Sequence, residues 1–125
     1  MTVQVARALA EVRTAMNFLF AAIAIPIFGV HGVAQLTAGP GIHRHADRLG
    51  VSASGLRFIG RLELVCAAGT AIGLAVTPVG AVAAVILLLL MAGAVATHVL
   101  IQDPPAVTLR PMVVAAVLTA YLITL

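Results

Sequence analysis

Lysine and tryptophan are absent from this 125-residue chain, cysteine occurs once, and charged residues make up only 9% of it. Each scarcity excludes something. An ordinary soluble domain carries roughly a quarter charged residues, so this little charge beside 62% apolar residues argues against a water-soluble globule. A chain of this length cannot hide so much Leu, Val, Ile and Ala from water without leaving large apolar patches. Seven arginines against two aspartates and two glutamates give a net charge of +3, and aromatic residues are 4% of the chain. There is thus no basic stripe to follow a phosphate backbone and few rings to stack on bases, which excludes nucleic acid as a partner. The single cysteine, Cys66, excludes an internal disulfide and any multi-cysteine zinc or iron-sulfur site. It lies in an apolar run, where a thiol behaves as a small hydrophobe.

What the chain has instead is long apolar runs, and the solvent they call for is the lipid bilayer. A membrane-crossing helix needs about 20 predominantly apolar residues. Four stretches approach that length: about Ala15 to Leu36, Phe58 to Val76, Val79 to Ile101, and Met112 to Leu125. The last is short and crosses only if the membrane thins or the helix starts earlier, within Pro104 to Arg110. The first is too long for the apolar region of a secretion signal and is expected to stay in the membrane. Before it, Gln4, Arg7, Glu11 and Thr14 share one helical stripe away from Val3, Val5, Leu9 and Val12, which predicts an interfacial helix leading into the first span.

The connections differ in kind. Residues 37–57 hold Gly39-Pro40-Gly41, then His43 to Leu49 before a Gly50 stop, and predict a short amphipathic helix at the interface. Thr77-Pro78-Val79-Gly80 predicts a tight hairpin between spans two and three. Arg110-Pro111 is expected to open the last helix, at a position proline favours. The fold class expected is all-α, an integral membrane antiparallel four-helix bundle forming a single domain over residues 1–125, multi-pass in the cell membrane. The loop side carries Arg44, Arg48, Arg57, Arg61 and Arg110 against Arg7 and Arg13 on the terminal side, which favours loops in the cytoplasm. Gly69 and Gly73 form a small-xxx-small pair that serves either internal packing or a homo-oligomer.

Ionisable residues inside spans are the informative ones, because each is costly unless it meets a partner, the bundle interior or water. His31, Glu63 and His98 stand out. With alternating span direction, all three fall roughly 5 to 8 Å inside the loop-side interface at about 1.5 Å per residue. Gln35 follows His31 at i+4 and Gln102 follows His98 at i+4, giving each histidine a polar neighbour. Arg61 lies about 200° around the helix from Glu63, so it is expected to reach for lipid headgroups while Glu63 finds a partner on another helix.

The layer admits three chemical readings. One is a structural hydrogen-bond cluster. Another is a proton-handling pocket for a quinone or similar lipophilic molecule, with Glu63, His31 and His98 as the catalytic candidates and Gln35, Gln102 and Arg61 as ligand-binding ones. The third is a His, His and Glu metal site for zinc or iron. No ligand pair has the i, i+3 or i+4 spacing of a helical metal motif, so no metal residues are assigned. The loop histidines His43 and His45, beside Arg44, Asp47 and Arg48, suit a solvated helix facing lipid headgroups.

These residues also carry a family resemblance. Gly32-Val33-Ala34-Gln35-Leu36 is similar to the Gly-x-x-Lys-Leu ending of span one in the DoxX-like family of small four-span membrane proteins. Gly60-Arg61-Leu62-Glu63-Leu64 resembles that family's glycine and glutamate signature, followed by Ala68-Gly69 and the Thr77-Pro78 turn. Met91-Ala92-Gly93-Ala94 leading to His98 resembles its small-residue run ending in a histidine. The likeness covers approximately Phe18 to the C-terminus. It departs at Gln35, where the family often has lysine, so an intramembrane lysine-glutamate pair cannot form here. The resemblance implies membrane redox or quinone association. No flavin, haem or nicotinamide motif is present, so the cofactor is left unassigned with a quinone as one candidate, and electrons would come from a membrane or peripheral redox protein or from the substrate itself. Two other functions are weighed: a stand-alone isomerase or cyclase acting on a lipophilic substrate by acid-base chemistry, and a non-catalytic subunit of a larger membrane complex.

Overall fold

The computed structural model describes residues 2–125, and these fold into five helices: α1 (Val3–Thr37), α2 (Gly41–Leu49), α3 (Ala53–Gly73), α4 (Thr77–Leu100) and α5 (Pro105–Thr124). Three of them, α1, α4 and α5, are long and apolar enough to cross a membrane. α3 is 21 residues long, but any membrane-length window within it contains Arg57, Arg61 and Glu63, which lowers its apolar character below that of the others.

The four long helices form a ring in which α1 touches α3 and α5, and α4 touches the same two. Neighbours run in opposite directions. Gly32 lies against Gly60 and Leu64, Gly73 against Gly80 and Gly69 against Ala83, while Asn17 lies against Tyr121 and Thr124. The core of this ring is built largely from small residues, among them Ala21, Ala24, Ala67, Ala83 and Ala84, around Phe28, Leu87, Leu118 and Tyr121. Large aliphatic side chains such as Leu19, Val30, Val65, Val82 and Leu89 point outward. Small inside and large outside is the distribution expected where the surroundings are as apolar as the core and close backbone approach supplies the attraction.

Several helix ends differ from expectation. α1 is one continuous 35-residue helix, so Val3 to Thr14 is not a separate interfacial element. Between its Thr2 cap, whose hydroxyl accepts from Val5 N–H, and Pro26 there is no helix breaker to interrupt it. Thr77 and Pro78 lie in the first turn of α4, and the reversal before them is made by Leu74 to Val76. Pro105, not Pro111, opens the last helix, which lengthens the fourth apolar stretch to 20 residues. α2 matches the expected short amphipathic helix: Gly50 ends it in the left-handed region at φ 69°. Ile42 and Ala46 of α2 pack with Leu56 of α3 in a small separate core.

Candidate functional site

The close approach of α1 and α3 sets the site. A Cβ on Gly32 would lie 2.7 Å from the Gly60 carbonyl oxygen, and one on Gly60 would lie 2.9 Å from Gln35 Cβ. Only glycines let the two backbones come this near, and at that separation the short Glu63 side chain spans the gap. His31 Nδ1–H donates to Glu63 Oε2 over 2.8 Å. The two members differ in surroundings: the Glu63 side chain is 2% exposed and the His31 side chain 56%. A buried carboxylate therefore communicates with the outer surface of the bundle through one imidazole ring.

Gln35 completes the group. Its Nε2 lies 3.3 Å from the same His31 Nδ1, and its Oε1 is buried without a partner. One ring nitrogen cannot serve both neighbours, because an Nδ1–H donating to Glu63 has no lone pair left to accept from an amide. Turning the Gln35 amide over offers its oxygen to the ring N–H and leaves its NH2 in the unpartnered place. In either orientation one end of a buried amide is left free to bond something else.

His98 is parted from this pair. Its Nδ1 lies 2.5 Å from Asp103 Oδ2, and Asp103 also accepts from Arg48 of α2. The His31, His98 and Glu63 set is thus divided between two clusters, and among the described residues no three His, Cys, Asp or Glu side chains converge as a metal site would require. The physical reason lies after Leu100, where α4 ends. Gln102 takes a left-handed backbone with φ 57°, so it no longer lies at i+4 on a helix with His98, and the reversal carries Asp103 back to the His98 ring. Gln102 is exposed in that turn. Arg61 is exposed on α3 while Glu63 is buried, as their angular separation predicts.

At the other end of the ring the polar groups bond among themselves. Tyr121 is fully buried and its hydroxyl donates to the Thr70 carbonyl over 2.9 Å, satisfying an oxygen in the last turn of α3. Asn17 donates to the Tyr121 carbonyl at 3.1 Å and to Thr124 Oγ1 at 3.2 Å. Arg13 donates to the Thr124 and Leu125 carbonyls, capping α5. Tyr121 and Asn17 make bonds between helices, while Thr119 bonds back to its own helix at Ala115. Gly73 and Gly80 meet beside the Tyr121 hydroxyl, which settles the Gly69 and Gly73 pair as internal packing. A cavity of about 250 Å³ opens here, lined in part by Arg13, Thr14, Asn17, Thr77 and Thr124.

The model of one protein family, described as the DoxX-like family, matches residues 19–121. The chain belongs to the DoxX-like family. No match is found among curated proteins or among solved structures. The DoxX-like match takes in the glycine contact, the His31–Glu63 pair, Gln35, both elements of the His98–Asp103 bond, and Tyr121. It leaves out the first sixteen residues of α1. The chain is a membrane protein with apolar helices, and the DoxX-like match begins two residues after Asn17, the first buried residue of α1.

Proposed function

We propose that all four long helices cross the cell membrane, and that this DoxX-like protein holds a quinone or similar lipophilic carbonyl compound at Glu63, His31 and Gln35, working with a redox partner. The observation that carries the reading is the buried Glu63 carboxylate hydrogen-bonded to a ring whose other edge faces the lipid. α3 lies between α1 and α4 in the ring, so it crosses with them. Glu63 is tolerable at that depth because it has a partner, and Arg57 and Arg61 extend toward headgroups.

The residues fit such a ligand. The unpartnered end of the Gln35 amide, turned so that its NH2 is free, donates to a carbonyl oxygen. His31 Nε2 accepts from a hydroxyl, and the Nδ1–H on the other side of the ring is already aligned with Glu63 Oε2 to pass a proton inward. A bound quinone supplies two-electron, two-proton carrier chemistry. The chain's own part is to bind, to orient and to hold the proton at Glu63. Electrons come from a second protein, in keeping with the absence of any flavin, haem or nicotinamide motif in the sequence.

The test is saturable binding of a short-chain benzoquinone by the protein in mild detergent, read by mass spectrometry of the retained molecule. Glu63→Gln is expected to weaken retention tenfold or more, and Thr119→Ala, at an exposed residue whose hydroxyl bonds within its own helix, to leave it unchanged. Equal retention by the wild type and Glu63→Gln would sink the reading. Conversion of a lipophilic substrate by the purified protein alone, without any electron donor, would replace it with acid-base catalysis of the isomerase or cyclase type.

A further inference from the structure

We propose that the outward face of α1 is a contact surface for a second, parallel copy of the same chain. Val5, Leu9, Val12, Met16, Leu19, Ile23, Val30 and Val33 are all exposed, and their spacing is 4, 3, 4, 3, 4, 7 and 3, with the exposed ring of Pro26 filling the one missing place. This is an unbroken 3.5-residue repeat along one helix, the pattern that keeps a seam facing a partner helix. The residues that α1 buries inside its own chain, Asn17, Ala21, Ala24, Phe28, Gly32 and Gln35, lie on the opposite side.

Lipid alone does not account for the stripe. From Val5 to Val33 it runs about 42 Å at 1.5 Å per residue, against a hydrocarbon core about 30 Å thick, so part of it lies beyond the acyl chains. Each of residues 2–16 is exposed, and only the side that carries Ala10, Arg13 and Thr14 comes near the rest of the chain. In that stretch Val5, Leu9, Val12 and Met16 fall within about 60° of the helix circumference, narrower than the face of about 100° or more that a helix lying against a core presents, and the width of a coiled-coil seam. Because α1 is continuous from Val3, this segment cannot turn aside to lie flat on the membrane.

A second observation is independent of the first. The position flanking the seam is small in four successive heptads: Ala8, Ala15, Ala22 and Gly29. A Cβ on Gly29 would meet nothing within 4 Å in this chain, so nothing inside the monomer needs a glycine there, although glycine is among the poorest helix formers. A neighbouring helix packed close along that edge does need it. No charge stands at a seam position, and Arg13, the one cation beside it, is engaged with the end of α5. Covering the eight large side chains removes on the order of 700 Å² per copy, close to the roughly 800 Å² per partner of a standard stable interface. Two copies inserted in the same direction place each seam residue opposite its own counterpart about a two-fold axis along the membrane normal.

The experiment is disulfide cross-linking, in native membranes, of full-chain variants that each carry one added cysteine, with copper-phenanthroline as oxidant. Cys66 is buried and stays in place. Leu9→Cys, Val12→Cys and Met16→Cys are expected to give covalent dimers at least tenfold more efficiently than Arg7→Cys, Glu11→Cys and Thr14→Cys. Gly29→Leu, whose Cβ meets nothing within 4 Å in one chain, is expected to shift the detergent-solubilised dimer to a monomer of unchanged helical content and unchanged quinone retention. Equal cross-linking of the two sets, no cross-linking in either, a cross-link to a different protein, or a Gly29→Leu variant that stays dimeric would each overturn the proposal. Loss of quinone binding with the cross-links intact would instead count against the pocket alone.

Discussion

The two ends of the helix ring handle buried polarity in opposite ways. At the end that holds Asn17 and Tyr121, the donors close on oxygens of the same end: Asn17 on Tyr121 and Thr124, Tyr121 on Thr70, Arg13 on the carbonyls of α5. At the end that holds Glu63, a buried amide atom is left without a partner and a histidine faces outward. Both ends use the same device, a glycine pair that brings backbones together. One uses it to seal a hydrogen-bond network and the other to leave a network incomplete. The closed end satisfies its own polar groups, and the other, open end keeps one buried amide atom without a hydrogen-bond partner.

The comparison breaks most sharply at the closed end. Gly73→Leu drives a side chain into the Gly80 backbone and the Tyr121 hydroxyl, and overpacking of a rigid contact costs about 3 kcal/mol or more. Thermal unfolding in detergent is expected to show the largest drop for this variant. Tyr121→Phe removes the donor to Thr70 with almost no change of shape, and stranding that carbonyl costs about 1–3 kcal/mol. The same melt read by circular dichroism would show it; a loss below about 0.5 kcal/mol would mean the network is not what holds α5 to α3.

Smaller stability effects are expected at the open end. Glu63→Gln keeps the shape and a hydrogen bond to His31, so it is expected to change stability by about 1 kcal/mol or less while weakening quinone retention tenfold or more. That split between binding and stability separates the two ends more cleanly than either measurement alone. Asp103→Asn, on the staple joining α2, α4 and the turn before α5, is expected to loosen α2 while leaving the ring intact. Hydrogen exchange of Gly41 to Leu49 would rise, with little change in the melting of the ring.

Much of this was legible in the chain because lipid imposes strict rules. Apolar length located the four long helices, Gly50 and the residues before it located α2, and the two-residue spacing of Arg61 and Glu63 foretold that one would be buried and the other exposed. The pairing of Glu63 with a histidine followed from the cost of an unpaired carboxylate at that depth. The choice of histidine did not. His98 and Gln102 were expected on one stripe because a helix was continued two residues too far; where the chain reverses, Asp103 becomes the neighbour, and a left-handed residue other than glycine gives no signal in a sequence. Nothing local in the sequence reveals that Gly73 and Gly80 make room for the Tyr121 hydroxyl.

The contact that closes the ring also has a consequence for how the protein is made. Asn17 and Tyr121 are 104 residues apart, joining the first long helix to the last. During synthesis α1 waits in the membrane while three further helices are delivered, its amide without the carbonyl it finally meets. Assembly then ends in a single long-range step that only α5 can perform, and such distant contacts form late because the intervening chain must be ordered first. A ribosome stalled before α5 would leave a three-helix intermediate with an open flank and an exposed asparagine, a recognisable substrate for membrane quality control.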